Sequence, residues 1–290
     1  MDKYQNLGKI FKEFRTNRHI SLKQIADENV SVSQLSRFER GESDLASTRL
    51  FAALDHMHVE AGEFADAVNN YHRTEQIRFM GALVTLEYER DIEGFRRMMG
   101  EEAQKFKDHP DVYRYHLNTI LLQGFICKCD SSISFPEENL LEVTDYLFIT
   151  EHWSYYELSL VGNLYLFFDI PLLHKIGQEI AGQMDTYREI SSLNSIAMIT
   201  LMNIWETCVY RKALKEASFY RDCIAPLLQN ETDLYKRSIF LFLSGLQEYL
   251  EGRETSGSEK MDRVIRLYEW LGCENLAENY RRDRKTYTGI

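Results

Sequence analysis

The feature that most constrains this chain is the helical spacing of its apolar residues. From Ala65 onward, apolar residues recur in blocks of roughly fifteen to twenty residues, with short breaks between them. Only four prolines and fifteen glycines interrupt 290 residues, and the apolar-polar alternation that is typical of strands is scarce. The sequence therefore predicts an all-α protein.

The helical blocks after Ala65 form consecutive pairs. We expect the pairs 92–107 with 111–128, 138–150 with 153–168, 173–190 with 193–211, 214–229 with 232–252, and 257–271 with 274–288. A period of about 40 residues is typical of a helical solenoid, in which each hairpin buries its apolar face against its neighbours. The sequence predicts a tetratricopeptide-like helical-hairpin solenoid over residues 65–290, although its period exceeds the consensus of about 34 for that repeat.

Shorter helices are expected over residues 1–64. The first ends near Asn17, the second follows Ser21 and ends near Asn29, and the third follows Ser31 and stops at Gly41. A fourth helix and a fifth helix complete a compact five-helix domain. Leu22, Ile25 and Ala26 are expected to face inward, and the other apolar residues that these helices carry are Leu7, Ile10, Phe11, Phe14, Leu35, Phe38, Leu50, Phe51, Leu54, Met57, Phe64, Ala65 and Val68.

The charge of the chain is unevenly distributed. The formal net charge is -11, which argues against indiscriminate nucleic-acid binding over the whole surface. Residues 1–49, by contrast, hold nine basic and seven acidic residues, a balance of +2. The acidity therefore lies downstream of residue 49.

Neither a metal site nor catalysis is indicated. The cysteines are odd in number and lie in apolar helical patterns, so we expect buried thiols rather than a disulfide framework. No pair of them has zinc-ligand spacing, and the sequence has no glycine-rich phosphate loop and no nucleophile motif. We therefore expect no cofactor, no metal and no enzymatic activity. The cysteines are Cys127, Cys129, Cys208, Cys223 and Cys273.

Targeting signals are also missing from the sequence pattern. No apolar stretch approaches the roughly 20 residues needed to span a bilayer. The first residues, with Asp2, Lys3 and Gln5, have no apolar core of a signal peptide. We expect a cytoplasmic protein that has no membrane partner.

Two short runs resemble the helix-turn-helix domain of the lambdoid phage repressors. Leu22-Lys-Gln-Ile-Ala26 followed by Ser33-Gln-Leu-Ser-Arg-Phe-Glu-Arg-Gly41 looks like the two-helix signature of that family. The similarity extends over most of residues 6–64, although the usual Gly or Asn of the turn is not clear-cut around Asn29-Val30. The resemblance implies that the second helix of the pair enters the major groove of double-stranded DNA.

Candidate DNA contacts follow from this resemblance. Arg37 would make a bidentate contact with a guanine, Gln34 would pair with adenine or a phosphate, and Val32 would contact a thymine methyl group. A solvated surface position is the alternative for each residue. The candidates for base contact are Ser31, Val32, Ser33, Gln34 and Arg37, and those for the phosphate backbone are Lys23, Thr48 and Arg49.

Arg15 and Glu39 are candidates of a different kind. The resemblance implies that this pair bridges the first helix to the recognition helix, so its role is structural. Loss of Arg15 would leave an unpaired, partly buried carboxylate and would misplace the recognition helix, abolishing DNA binding.

A polar residue interrupts an apolar run once in each of four successive hairpins. These residues are Asn118, Asn163, Asn203 and Ser244, spaced about 40 to 45 residues apart. Such a row can hold the backbone of an extended peptide through paired donor and acceptor bonds. Alternatively, each side chain bonds to a neighbouring helix inside the stack. Apolar neighbours that would receive the side chains of a peptide are Tyr113, Leu166, Phe167 and Trp205.

The two parts together resemble the Rgg/MutR regulators of Gram-positive cocci, within the wider class of PlcR-like peptide-pheromone receptors. The run Lys260–Ile265, followed by Leu271-Gly-Cys273 and Leu276-Ala277, looks like the usual ending of that family. The resemblance implies a homodimer that binds a short, hydrophobic, imported signalling peptide in its groove and changes transcription from a promoter operator. Some members carry a cysteine that links the DNA-binding domains, whereas this chain has none before Cys127.

Dimerisation is expected through the C-terminal helices, which would place two recognition helices about one helical turn of DNA apart. The main alternative is a repressor whose solenoid binds a protein partner and no peptide.

Overall fold

The computed structural model describes residues 7–289, and these residues fold into helices joined by loops. This confirms the predicted all-α class. Asn6 and the outermost residues of the two predicted domains, Met1 and Ile290, lie outside the described residues. The chain divides into two compact units, Met1–Glu89 and Arg90–Ile290.

The first unit contains the five predicted short helices and a sixth that was not predicted. The helices are α1 (Leu7–Asn17), α2 (Leu22–Ile25), α3 (Val32–Glu39), α4 (Ser47–His56), α5 (Ala61–Val68) and α6 (Glu75–Glu89). The boundary predicted after residue 64 falls inside α5, whose residues Ala67 and Val68 belong to the core of this unit. The assignment of a separate function to each part stays a prediction.

The turn between α2 and α3 differs from the prediction. Ala26 already has an extended backbone with ψ 135°, so α2 ends four residues before the expected end at Asn29. The carboxylate of Asp27 accepts the backbone N–H groups of Asn29 at 2.8 Å and Val30 at 2.9 Å. Because this side chain bonds the backbone locally, it competes with continuation of the helix. Asp27 thus closes the turn of the helix-turn-helix pair.

The core of the first unit forms where the apolar faces of its helices meet. Phe11, Ile25, Leu35 and Leu54 are fully buried, and the ring of Phe11 meets that of Phe38 edge-on with centroids 5.6 Å apart. Phe51, an apolar residue of the predicted fourth helix, is 52% exposed, because it lies beside the buried face of α4 that Ala53 and Leu54 form.

The second unit contains helices close to the predicted blocks. They are α7 (Ile92–Asp108), α8 (Arg114–Cys129), α9 (Glu137–Ile149), α10 (Tyr155–Leu164), α11 (Ile170–Gly182), α12 (Met184–Tyr187), α13 (Ser191–Tyr210), α14 (Leu214–Ile224), α15 (Leu234–Leu250), α16 (Glu254–Trp270) and α17 (Glu274–Thr288). The block 173–190 is broken at Gln183, after Gly182, a residue of low helix propensity. None of the described helices is both long and apolar enough to cross a membrane.

Glycines set how the last helices pair. A Cβ atom on Gly245 of α15 would lie 2.8 Å from the carbonyl oxygen of Gly257 in α16, and one on Gly257 would lie 2.5 Å from that of Gly245. The two backbones therefore approach too closely for any side chain. Helix α15 packs most extensively on α16, and α14 packs most extensively on α13. The predicted pair 214–229 with 232–252, which corresponds to α14 and α15, is in less extensive contact than either of these pairs.

Candidate nucleic-acid interface and ligand groove

Both helices of the helix-turn-helix pair begin with the same Ser-x-x-Gln capping box. The backbone N–H of Ser21 donates to Oε1 of Gln24 at 2.7 Å. In the same way, the backbone N–H of Ser31 donates to Oε1 of Gln34 at 3.0 Å, and the N–H of Gln34 returns a bond to Oγ of Ser31 at 3.3 Å. These bonds satisfy N–H groups that a helix start leaves without partners, and so they fix where α2 and α3 begin.

The far end of α3 is attached to α1 by an ion pair. Nε and Nη2 of Arg15 donate to Oε1 and Oε2 of Glu39 at 2.6 and 2.9 Å, and Nη1 donates to the carbonyl oxygen of Ile20 at 2.8 Å. The two side chains are only 12% and 6% exposed. The hydrogen bonds to Glu39 hold the pKa of Arg15 above its ordinary value. The bridge that the resemblance implied is therefore present in the structure.

Gly8 permits a second close contact between α1 and α3. A Cβ atom at this position would lie 1.8 Å from the carbonyl oxygen of Phe38, which is far inside van der Waals contact. The backbone of α1 thus rests directly on that of α3. Together with the Arg15–Glu39 pair, this contact fixes the orientation of α3 within the unit.

All five predicted base contacts are exposed, and helical spacing places Ser33 and Arg37 opposite the buried Leu35 and Phe38. Of the predicted phosphate contacts, Lys23 and Thr48 are exposed and Arg49 is half-buried. Arg15 differs from them because its guanidinium is committed to Glu39, so it has no direct DNA contact to offer. The exposed candidates are Ser31 at the N-cap of α3, and Val32, Ser33, Gln34 and Arg37 within α3.

Two local features of this surface were missed from the sequence. The backbone bonds to Asn29 and Val30 hold the pKa of the Asp27 carboxyl below its usual range. Arg40 donates to Oε1 of Glu42 at 2.6 Å, in an exposed pair just after α3. An aspartate side chain commonly bonds the backbone two residues further on in a turn, so Asp27 itself was the available signal for this closure.

The predicted row of asparagines bonds within the helix stack. Nδ2 of Asn118 donates to Glu102 at 2.7 Å, and Oδ1 accepts from the hydroxyl of Tyr156 at 3.0 Å. Nδ2 of Asn163 donates to a carbonyl oxygen of its own helix at 2.8 Å, and Nδ2 of Asn203 donates to the carbonyl oxygen of Gly162 at 3.2 Å. Asn118 and Asn203 thus match the alternative in which the side chain bonds to a neighbouring helix, whereas Asn163 bonds within its own helix. Contact of the row with a ligand stays a prediction.

Two further predicted peptide contacts are buried. Trp205 is 0% exposed, and its Nε1 donates to Oε1 of Gln247 at 2.9 Å. Ser244 is also buried, and its hydroxyl has no hydrogen-bond partner among the described residues. In this conformation Trp205 therefore has no surface for a peptide side chain. The expectation of direct contact by Trp205 is corrected, because its helix face meets α15 rather than solvent.

Leu166 and Phe167 lie in an open groove of the second unit. The ring of Phe167 stacks on that of Phe135 with centroids 4.4 Å apart. The groove has a volume of about 760 Å³, and Leu141 also lines it. Glu137 and Asp169 add carboxylates, so the lining is both polar and apolar. Phe135 was missed because it lies in a segment that the sequence marks only as a break.

Tyr113 is exposed and lies apart from the residues that line this groove. Its ring meets those of Phe106 and His116, with centroids 6.3 and 5.4 Å away. Its hydroxyl donates to Glu142 at 3.3 Å. Burial and this carboxylate raise the pKa of Tyr113. Tyr113 therefore belongs to a separate aromatic cluster at the junction of α7, α8 and α9.

Comparison with known proteins places this architecture among transcriptional regulators. Residues 97–282 match the family model described as the C-terminal domain of the HTH-type transcriptional regulator Rgg. The fold is similar to that of the SHP pheromone receptor Rgg2 from Streptococcus dysgalactiae, with a TM-score of 0.81 and 23% identity over 97% of this chain and 99% of that chain.

Two other solved structures are similar. A putative transcriptional regulator from Listeria monocytogenes EGD-e has a TM-score of 0.81 and 17% identity, over 98% of this chain and 97% of that chain. ComR from S. thermophilus, solved in complex with DNA and its signalling peptide ComS, has a TM-score of 0.62 and 17% identity, over 98% of this chain and 100% of that chain. The Rgg family model covers well over half of this sequence. The chain belongs to the Rgg family of helix-turn-helix transcriptional regulators.

Proposed function

We propose that this regulator binds a DNA operator through α3 and that a short hydrophobic signalling peptide, bound in the second unit, controls its activity. The observation that carries the DNA part is the fixed presentation of α3. Leu35 and Phe38 anchor one face in the core, and the Arg15–Glu39 pair holds its end. The opposite, exposed face carries Ser33 and Arg37, the side-chain types that bond to base edges and phosphates in the major groove.

A single copy of the first unit would bind weakly. Its balance of +2 over residues 1–49 supplies few phosphate contacts, and such contacts provide much of the affinity of DNA-binding proteins. A homodimer that places two copies of α3 about 34 Å apart would engage two half-sites at once. We therefore propose a dimer on a roughly palindromic operator.

The groove lined by Phe135, Leu141, Leu166 and Phe167 supports the peptide part of the proposal. Its volume of about 760 Å³ suits several residues of an extended peptide, and its lining offers apolar side chains for the peptide's side chains and polar groups for its backbone. The relative ComR was solved with both DNA and a signalling peptide, and Rgg2 is a pheromone receptor. A peptide changes transcription only if it binds two arrangements of the protein unequally.

Calorimetric titration of the full-length protein with synthetic hydrophobic peptides, encoded beside its own gene, tests the peptide part. Leu141→Asp places a charge in the groove at a residue that is 59% exposed, so the fold should persist. Ile190→Asp is the matched control outside the groove, at a residue that is 50% exposed. We expect binding to the wild type and the control, and loss of binding in Leu141→Asp.

Two outcomes would contradict this assignment. Equal binding to Leu141→Asp and the wild type would place the peptide elsewhere. If no such peptide binds and a protein partner binds to the second unit instead, the regulator is controlled by that protein.

A further inference from the structure

We infer that Gln34 contacts DNA as a hydrogen-bond donor only and therefore selects guanine rather than adenine. This inference rests on the proposed binding of DNA through α3. It starts from the capping box, in which Oε1 of Gln34 accepts the backbone N–H of Ser31 at 3.0 Å and the hydroxyl of Ser31 at 3.2 Å. A backbone N–H can only donate, so the oxygen of the amide must face it.

The orientation of the amide nitrogen follows from this bond. The side-chain amide is planar, and its nitrogen lies across the group from its oxygen, so Nε2 turns away from the capped N–H. Nε2 has no hydrogen-bond partner among the described residues, and Gln34 is exposed in the first turn of α3. Two N–H groups are thus presented where a recognition helix meets base edges.

Adenine and guanine present different hydrogen-bonding groups to such a donor in the major groove. Adenine is recognised by a glutamine that accepts from N6 and donates to N7 at the same time. Gln34 would have to release its cap to do so, which would leave the N–H of Ser31 without a partner. Guanine presents two acceptors, N7 and O6, and these match the two N–H groups of the amide. Guanine is therefore the base that the capped amide fits.

The bonds of the cap also limit which of the other predicted residues can contact bases. The hydroxyl of Ser31 is engaged in the cap on both sides, since it donates to Oε1 and accepts the N–H of Gln34. Direct contact with bases is left to Val32, Ser33 and Arg37, together with the amide nitrogen of Gln34. The base at the operator position that meets Gln34 should therefore be selected for the hydrogen-bond acceptors that it presents.

Selection of binding sites from a random double-stranded DNA library, with the full-length protein, tests this inference. Gln34→Glu keeps an acceptor for the cap, because Ser-x-x-Glu is an equally good capping box, and removes the donor. Gln24→Glu adds the same charge to the matching cap of α2 and is the control. In each half-site the wild type should select guanine at the position that meets Gln34, in addition to the guanine expected for Arg37, and Gln24→Glu should select the same sequence.

Gln34→Glu should lose that guanine alone. A carboxylate accepts from the N4 amino group of cytosine, so preference at this position should shift towards cytosine while the others stay unchanged. Binding of Gln34→Glu to the wild-type site should weaken about tenfold, the order expected for one base contact.

Three results would overturn the inference. The first is an adenine at the position whose preference changes in Gln34→Glu, and the second is an unchanged preference in that variant. In both cases DNA binding itself would stand. The third is a wild type that selects no sequence, which would contradict the proposed function and the inference together.

Thermal unfolding of each variant shows whether its first unit is intact. If Gln34→Glu fails to fold, 7-deazaguanine in the selected site replaces it as the probe. With the wild-type protein, two guanines per half-site should be sensitive to loss of N7, one that meets Arg37 and one that meets Gln34, and fewer than two sensitive guanines would contradict the inference.

Discussion

The guanidinium of Arg15 in α1 holds the carboxylate of Glu39, the last residue of α3, through two parallel hydrogen bonds of 2.6 and 2.9 Å. Such a forked pair fixes direction as well as distance. Since Ser31 and Gln34 cap the other end of α3, both ends of the proposed recognition helix are held by side chains. Its orientation is thus set by contacts within the first unit.

Arg15→Ala should destabilise this unit by about 3 kcal/mol, because it leaves the buried carboxylate of Glu39 without its partner. Hydrogen exchange of the α1 and α3 amides, measured by mass spectrometry on the full-length protein, reports the change as faster opening. Arg40→Ala is the control, since it breaks an exposed pair with Glu42 and should cost less than about 1 kcal/mol. Equal protection of α3 in both variants would show that the Arg15–Glu39 pair is dispensable.

Gly8→Ala should also disrupt the packing of α3 against α1. The added methyl group would meet the carbonyl oxygen of Phe38 at 1.8 Å, so α1 and α3 must separate. Gly62→Ala in α5 is the matched control, because a Cβ atom there has nothing within 4 Å and alanine favours the helix. Thermal unfolding followed by circular dichroism should show a lower transition for Gly8→Ala and an unchanged or higher one for Gly62→Ala. A Gly8→Ala protein as stable as the wild type would contradict the close contact.

Glu206 predicts a pH dependence of the second unit. The hydroxyl of Tyr210 lies 3.2 Å from Oε1 of Glu206 and 3.0 Å from Oδ2 of Asp283 in α17. One hydroxyl proton cannot serve both carboxylates, so this geometry needs a second proton. Burial, and to a smaller extent the carboxylate of Asp283, raise the pKa of Glu206 from 4.5 to about 7, against the opposing effect of the Tyr210 bond.

The sign of the effect follows from proton uptake. Between about pH 4.5 and pH 7 the folded protein keeps a proton on Glu206 that the unfolded chain has lost, so stability falls as the pH rises through this range. Glu206→Gln is neutral throughout and should match the wild type near pH 5. At pH 8 it should be more stable by on the order of 2 kcal/mol.

Urea unfolding at pH 5 to 8, followed by the fluorescence of Trp153 and Trp205, measures this difference. Glu231→Gln, at an exposed residue of the loop before α15, should follow the wild type at every pH. A constant difference in unfolding free energy between Glu206→Gln and the wild type would mean that Glu206 is already ionised in the folded protein at pH 5.

The sequence predicted most helices of the second unit to within a few residues. Apolar spacing records which face of each helix is buried, and that information is local. The end of α2 was wrong for an equally local reason, since the side chain of Asp27 takes the place of a helical bond. A short polar side chain in a turn carries no apolar period, so spacing could not reveal it.

The candidate ligand site was harder to predict than the helices. Trp205 and Leu166 occur in similar apolar runs, yet Trp205 faces α15 and Leu166 is exposed in the groove. In a solenoid both faces of a helix meet other helices or ligands, so periodicity does not separate them. Phe135 reaches the groove from a loop by stacking on Phe167, a contact that only the tertiary structure brings about.

The central claim is that the exposed face of α3 binds an operator. Footprinting of the DNA that flanks the protein's own gene, with wild-type, Arg37→Ala and Arg40→Ala proteins of confirmed thermal stability, tests it most directly. Arg37 and Arg40 carry the same charge on neighbouring turns, but Arg40 is paired with Glu42. We predict a protected site for the wild type and for Arg40→Ala that vanishes for Arg37→Ala. Sequence-selective protection retained by Arg37→Ala, or absent from the wild type, would contradict the account.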